Sequence, residues 1–73
     1  MNNLYQNKIN NEIVKLKNTY RKSFTTNGEI SYMCVLFDVI SESMKEFDIE
    51  MALVDFNRIY KKVPKLKAVL YAI

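Results

Sequence analysis

Residues 30–47, ISYMCVLFDVISESMKEF, contain the strongest hydrophobic pattern in the chain. Apolar side chains recur in this stretch at steps of three and four, which is the period of an amphipathic helix. The residues are Ile30, Met33, Phe37, Ile40, Met44 and Phe47, and Tyr32, Leu36 and Val39 widen the stripe. The resulting stripe covers about half of the helix circumference, so it requires neighbours on several sides. The pattern therefore predicts a central helix buried within a small helical domain.

The segments on either side of residues 30–47 also have helical periodicity. Residues 4–23 place Tyr5, Ile9, Ile13, Leu16 and Tyr20 on one face, as expected of an amphipathic surface helix. Residues 49–63 predict a third helix that begins after Asp48, a favourable N-cap residue. Pro64 ends that helix, and residues 65–73 predict a short C-terminal helix. We therefore expect one all-α domain over residues 1–73, a compact bundle of three main helices plus a short C-terminal helix.

Asn27 and Gly28 are the strongest turn signal in the sequence, because both residue types tolerate a positive φ. Thr26 and Glu29 have the spacing of a capping box at the start of the central helix. The same Asn-Gly pair is typical of a β-hairpin. The helical interpretation is preferred because the flanking apolar residues do not alternate at period two.

Composition limits the classes of function. The chain has one cysteine, Cys34, and no histidine, so it cannot form an internal disulfide and lacks the ligands that zinc prefers. The carboxylates Asp38, Glu42 and Glu46 recur at steps of four on the predicted central helix and are interpreted as a solvated face. With one glycine there is no phosphate-binding loop. We therefore predict a non-enzymatic protein without a metal site or cofactor.

Compartment and oligomeric state follow from the same composition. No apolar run approaches the 18 or so residues that span a bilayer, and no signal peptide is recognisable, so a cytoplasmic location is expected. A chain of 73 residues buries only about 60% of its unfolded surface on folding. Either the chain folds as a compact monomer or a homo-oligomer supplies the missing burial. The size and composition suit a phage- or plasmid-encoded regulator.

Charge is strongly segregated along the chain. Residues 1–28 carry five cations and one acid, residues 29–57 carry seven acids and one cation, and residues 58–73 carry five cations. The favoured interpretation is that basic and acidic elements lie side by side and offset each other. The alternative is that the basic ends form a shared patch for an anionic partner.

Docking on a larger protein, as an inhibitor or adaptor does, is the leading functional hypothesis. The predicted contact surface combines apolar side chains with cations on one face of the third helix. Its residues are Met51, Val54, Arg58, Lys61 and Lys62. The alternative hypothesis is a nucleic-acid-binding regulator whose C-terminal cations contact phosphates. Those cations are Arg58, Lys61, Lys62, Lys65 and Lys67.

Overall fold

The computed structural model describes residues 3–23, 25, 27, 29–41 and 45–64. These residues form a five-stranded antiparallel sheet with one short helix on one face. The elements are β1 (Leu4–Asn7), β2 (Ile13–Ser23), β3 (Ser31–Val39), β4 (Glu46–Ala52), α1 (Leu53–Ile59) and β5 (Tyr60–Lys62). The strand order is β4-β3-β2-β1-β5. The helix therefore carries the chain from one edge of the sheet to the other.

The prediction of an all-α bundle is wrong, and the error begins in the central stretch. Residues predicted as one buried helix form strand β3 and the start of strand β4. Cys34 and Val35 are adjacent in β3 and are both almost fully buried. Successive side chains of a strand point to opposite faces, so β3 is covered on both faces at this point. A strand buried on both faces is apolar at nearly every position, and its stripe then resembles that of a buried helix.

The other predicted helices are also largely strands. Residues 4–23 form β1 and β2, which are joined by a short loop. Of the predicted third helix, only Leu53–Ile59 is helical, and strands precede and follow it. The predicted C-terminal helix, residues 65–73, lies outside the described residues.

The connection between β2 and β3 is a hairpin, contrary to the helical interpretation of the Asn-Gly signal. Ser23 pairs with Ser31 at the end of the two antiparallel strands. The main-chain N–H of Glu29 donates to Thr25 Oγ1 at 3.0 Å and to Asn27 Oδ1 at 3.2 Å. These bonds give the polar side chains of the connection the turn-forming role that Thr and Asn often have.

The hydrophobic core lies between α1 and one face of the sheet, which we call the core face. Its buried members are Val14, Val35, Phe37, Val39, Phe56 and Tyr60. Phe56 of α1 lies among three rings, with centroid distances of 5.1 Å to Tyr5, 5.4 Å to Phe37 and 4.6 Å to Tyr60. Aromatic contacts of this kind contribute about 0.5–1.5 kcal/mol each beyond area burial. Phe56 therefore joins α1 to strands β1, β3 and β5.

We predict that Phe56→Ala lowers the free energy of unfolding by about 3–5 kcal/mol, because it leaves a cavity among three rings. A domain of this length has a total of about 4–11 kcal/mol, so the variant is expected to be close to unfolding. Urea titration followed by far-UV circular dichroism measures the change. Val54→Ala is the control on the same helix, because Val54 is 75% exposed, and we expect it to change stability by less than about 0.5 kcal/mol. A loss below about 1 kcal/mol for Phe56→Ala would contradict the proposed core.

Candidate protein-docking site

The pairing of β3 with β4 ends before β3 does. The last pair is Cys34 with Ala52, because the chain leaves the sheet there and α1 begins at Leu53. Strand β3 extends beyond this pair to Met33 and Ser31, which remain paired with β2 on the other side. Among the described residues, no strand follows β4 along this edge of β3. An extended edge of this kind can accept hydrogen bonds from an additional strand.

An apolar notch lies beside this edge, between β3 and the start of α1. We call it the β3–α1 notch. Its volume is about 350 Å³, and most of its lining surface is hydrocarbon. The lining residues are Tyr32, Met33, Ala52, Leu53, Val54 and Asn57. The notch thus places apolar side chains from a helix next to the main chain of a strand.

Two side chains determine the character of the notch. Leu53 packs partly against the core, whereas Val54 is 75% exposed and presents an apolar surface to solvent.

Partial burial, together with the neighbouring Cys34 thiol, raises the pKa of Tyr32 above its ordinary 10.0. The phenol of Tyr32 is therefore neutral throughout the physiological range, so the notch carries no charge from this residue.

The sheet face opposite α1, here the outer face, carries a network of ion pairs. Lys17 pairs with Asp48 and lies 3.8 Å from Asp38. The pairing register shifts at Lys17 in β2 and again near Asp48 in β4, so both residues lie at β-bulges. Asp38 Oδ1 accepts the main-chain N–H of Asp48 at 2.8 Å, and Asp48 has a φ of 59°. The charges of this network hold two neighbouring bulges together.

A second group of the outer face joins the far end of β2 to β4. Lys22 Nζ lies 2.6 Å from Glu50 Oε1, and the Tyr20 hydroxyl donates to Glu50 Oε2. Lys17 and Lys22 thus both pair with carboxylates of the acidic middle of the sequence. For the first basic segment, residues 1–28, this geometry supports the interpretation that its charges are offset by those of the acidic segment, residues 29–57.

The structure separates the residues that were predicted to form one docking face. Met51 lies in β4 and packs against the core. Val54 lies at the notch. Arg58 lies near the end of α1 and pairs with Asp55 at 3.1 Å. The predicted shared helical face therefore does not exist, although the binding role of the individual residues stays a prediction.

The cations of the nucleic-acid hypothesis are separated as well. Lys61 and Lys62 are consecutive in β5 and therefore point to opposite faces of the sheet. Lys62 Nζ lies 5.3 Å from the centroid of the Tyr5 ring. Lys65 and Lys67 lie outside the described residues. Of the described members of the set, Arg58 and Lys62 lie on the helix side, and phosphate contact by the set stays a prediction.

Sequence reasoning missed five residues of the notch, and only Val54 was predicted as a site residue. The missed residues are Tyr32, Met33, Ala52, Leu53 and Asn57. Tyr32 and Met33 were assigned to the buried central helix. The convergence of these five residues depends on where β4 stops pairing with β3, and the sequence signal for this is weak. Ala52 and Leu53 are residue types that favour helices, and they follow the strand segment directly.

The described residues contain no cluster of His, Cys, Asp and Glu that could hold a metal ion. Within the same part of the chain, no helix has the length and hydropathy needed to cross a bilayer. Comparisons with protein-family models, curated proteins and solved structures find no match to this chain.

The ion pairs of Lys17 predict a pH-dependent contribution to stability. The hydrogen bond to Asp48, and the charges of Asp38 and Asp48, raise the pKa of Lys17 above 10.5, although desolvation opposes them. The folded state then holds this proton more tightly than the unfolded state. The stabilisation is complete below pH 10.5 and is lost as pH rises through the higher folded pKa. We expect Lys17→Met to melt below the parent at pH 7, and the difference to shrink between about pH 10 and 12.

Thermal melts of parent and variant at matched pH measure this difference, because pH effects common to both proteins cancel. Lys61→Met is the matched control, because Lys61 is exposed and no carboxylate of the described residues lies within ion-pair distance of it. We expect its melting temperature to follow the parent at every pH. A gap for Lys17→Met that stays constant to pH 12 would contradict the assigned role.

Proposed function

We propose that this protein is a non-enzymatic binding protein that docks on a larger protein through the β3–α1 notch. The partner contributes an extended segment with apolar side chains. The observation that supports this proposal is the coincidence of a strand edge and an apolar notch within a few residues of sequence. In strand addition, an extended peptide joins the open edge of a sheet as a further strand. This binding mode uses both features, since main-chain hydrogen bonds supply affinity and side-chain pockets supply specificity.

The strand edge sets the conformation of the ligand. Ser31 and Met33 continue β3 beyond its last pair with β4. An added strand would therefore pair with this part of β3, on the same side as β4. Side chains of an added strand alternate between the two faces of the sheet. Every second side chain of the ligand would therefore face α1, where Leu53 and Val54 border the notch.

The size of the notch sets the side chains that fit. A volume of about 350 Å³ is at the lower end of the range for small-molecule pockets and accommodates one or two apolar side chains. Val54 supplies exposed apolar surface beside it. We therefore propose an extended segment with one large apolar side chain, such as leucine or phenylalanine, as the anchor.

A cytoplasmic site of action accompanies this proposal. Cys34 is a free thiol that is 1% exposed, and the chain has no second cysteine to pair with it. Stability in this chain therefore does not rely on oxidation, which is typical of proteins in reducing compartments.

We predict that peptides selected from a random phage-displayed library on the immobilised protein include a class with alternating apolar residues. Binding of such a peptide should shift the amide NMR signals of Ser31, Met33, Leu53 and Val54. Val54→Asp should weaken binding at least tenfold, because it places a charge in the apolar notch while the exposed position leaves the fold intact.

Ile9→Asp is the matched control, because Ile9 is 82% exposed and lies in the β1–β2 loop at the opposite end of the sheet. We expect this variant to bind the peptide as the parent does. Selected peptides that shift only signals far from the notch, or that bind Val54→Asp unchanged, would refute the proposed docking site.

A further inference from the structure

A second unpaired edge lies on the other side of the same hairpin. The β1–β2 pairing ends with Leu4 opposite Lys15 and one further bond from the N–H of Leu16 to the carbonyl of Asn3. Strand β2 continues to Ser23, and no described residue pairs with residues 17–23 on the β1 side. We call this segment the β2 edge. All of its side chains except Tyr20 are exposed, so neither face obstructs an incoming strand.

The main chain of the β2 edge is oriented for pairing. The N–H of Thr19 donates to Asn18 Oδ1 at 2.9 Å, so the side chain of the preceding residue occupies the place of an acceptor on a neighbouring strand. Main-chain groups alternate in direction along a strand. Arg21 and Ser23 therefore direct their N–H and carbonyl groups to the same side as Thr19.

The chain exposes more surface than a compact monomer of its mass. Its accessible surface is 5388 Å², against about 4,700 Å² expected for 8.6 kDa. Its radius of gyration is 13.6 Å, and its extents are 44 × 22 × 21 Å, whereas about 11 Å is expected for a compact domain of this length.

We infer that two copies of this chain pair their β2 edges antiparallel about a two-fold axis, which joins the two sheets through β2 beyond the part of this strand that pairs with β1. The axis passes beside Tyr20, so Tyr20 lies opposite its own copy. Thr19 then lies opposite Arg21 of the second copy, and the two residues exchange main-chain hydrogen bonds. Asn18 lies opposite Lys22, and Lys17 lies opposite Ser23.

Charge selects this register over its neighbours. Each symmetric register has one residue beside the two-fold axis, which we call its centre. Registers in which Thr19 and Arg21 direct their main-chain groups toward the second copy differ from one another by one residue in the position of this centre. A centre on Arg21 places two arginines opposite each other, and a centre on Thr19 places Arg21 opposite Lys17. A centre on Lys22 places two lysines opposite each other. Only the register centred on Tyr20 places every cation of the edge opposite a neutral residue, and like charges directly opposite are destabilising.

The charges of Lys17 and Lys22 do not oppose this pairing. Lys17 and Lys22 already pair with Asp48 and Glu50 of their own chain, so their charges are largely offset before a second copy approaches. Tyr20 lies opposite its copy in this register while its hydroxyl stays bonded to Glu50 of its own chain, so the pairing rests on main-chain hydrogen bonds.

The oligomeric state tests the inference directly. Light scattering over a concentration series should give a mass near twice 8.6 kDa for the parent chain. Thr19→Pro removes a main-chain N–H whose bond in the single chain is to Asn18 Oδ1. Because proline cannot donate to a neighbouring strand, this variant should dimerise at least tenfold more weakly. Thr19→Val keeps the N–H and the β-branched shape and should dimerise as the parent does. A parent that stays monomeric up to about 1 mM, or a folded Thr19→Pro variant that dimerises normally, would overturn the inference.

Disulfide trapping tests the register independently of how well Thr19→Pro folds. The background is Cys34→Ala, because Cys34 lies opposite Tyr20 within the chain. Directly opposite Cβ atoms lie about 4.5–5.5 Å apart, close to disulfide geometry, so Tyr20→Cys should form a covalent dimer on mild oxidation. In the matched control Lys22→Cys, the two cysteines are four residues out of register, about 13 Å apart, and should not cross-link. Equal cross-linking of both variants, or none in Tyr20→Cys, would exclude this register.

Discussion

The insertion of Phe56 between three aromatic rings is the interaction on which the rest of the structure depends. Helix α1 has seven residues and no side-chain hydrogen bond at its N-cap, and isolated helices of this length are not stable in water. Its stability must therefore come from packing on the core, chiefly through Phe56, whose ring contacts Tyr5, Phe37 and Tyr60, with Leu53 and Ile59 beside it. Because α1 connects the edge strands β4 and β5, the same contact fixes both edges of the sheet against one core.

A helix this short covers only part of a sheet whose longest strand has eleven residues. The far ends of β2 and β3 extend beyond it as a two-stranded hairpin, and both candidate surfaces arise from this mismatch in length. The β3–α1 notch forms where the chain leaves β3 to begin α1. The β2 edge forms where β1 is too short to follow β2. The two surfaces lie on opposite sides of one hairpin, so a second copy on one side leaves the other accessible to a protein ligand.

The sequence predicted only part of the core. Phe37 was assigned to the buried stripe and is buried, but Ile9, Ile30 and Phe47 were assigned to apolar faces and are 82%, 55% and 66% exposed. The segment Leu53–Ile59 is helical within the longer helix that was predicted. Val14 is informative, because a helix that placed Ile13 and Leu16 on one face would turn Val14 toward the opposite side, whereas Val14 is 0% exposed. Ile13 and Val14 are adjacent and both buried, which a strand covered on two faces explains. The notch could not be predicted, because it depends on the register at which β4 stops pairing with β3.

The charges of the outer face acquire a structural role once the strand pairing is known. A hairpin that α1 does not cover needs other contacts to hold it in line with the sheet, and Lys22 and Tyr20 supply them by binding Glu50 of β4. Lys17 does the same at the two bulges through Asp38 and Asp48. Exposed ion pairs are individually weak, but these pairs act together across three strands and therefore limit the directions in which the hairpin can bend. The segregated charges of the sequence therefore keep both edges of the hairpin extended, which is the conformation that the proposed strand addition requires.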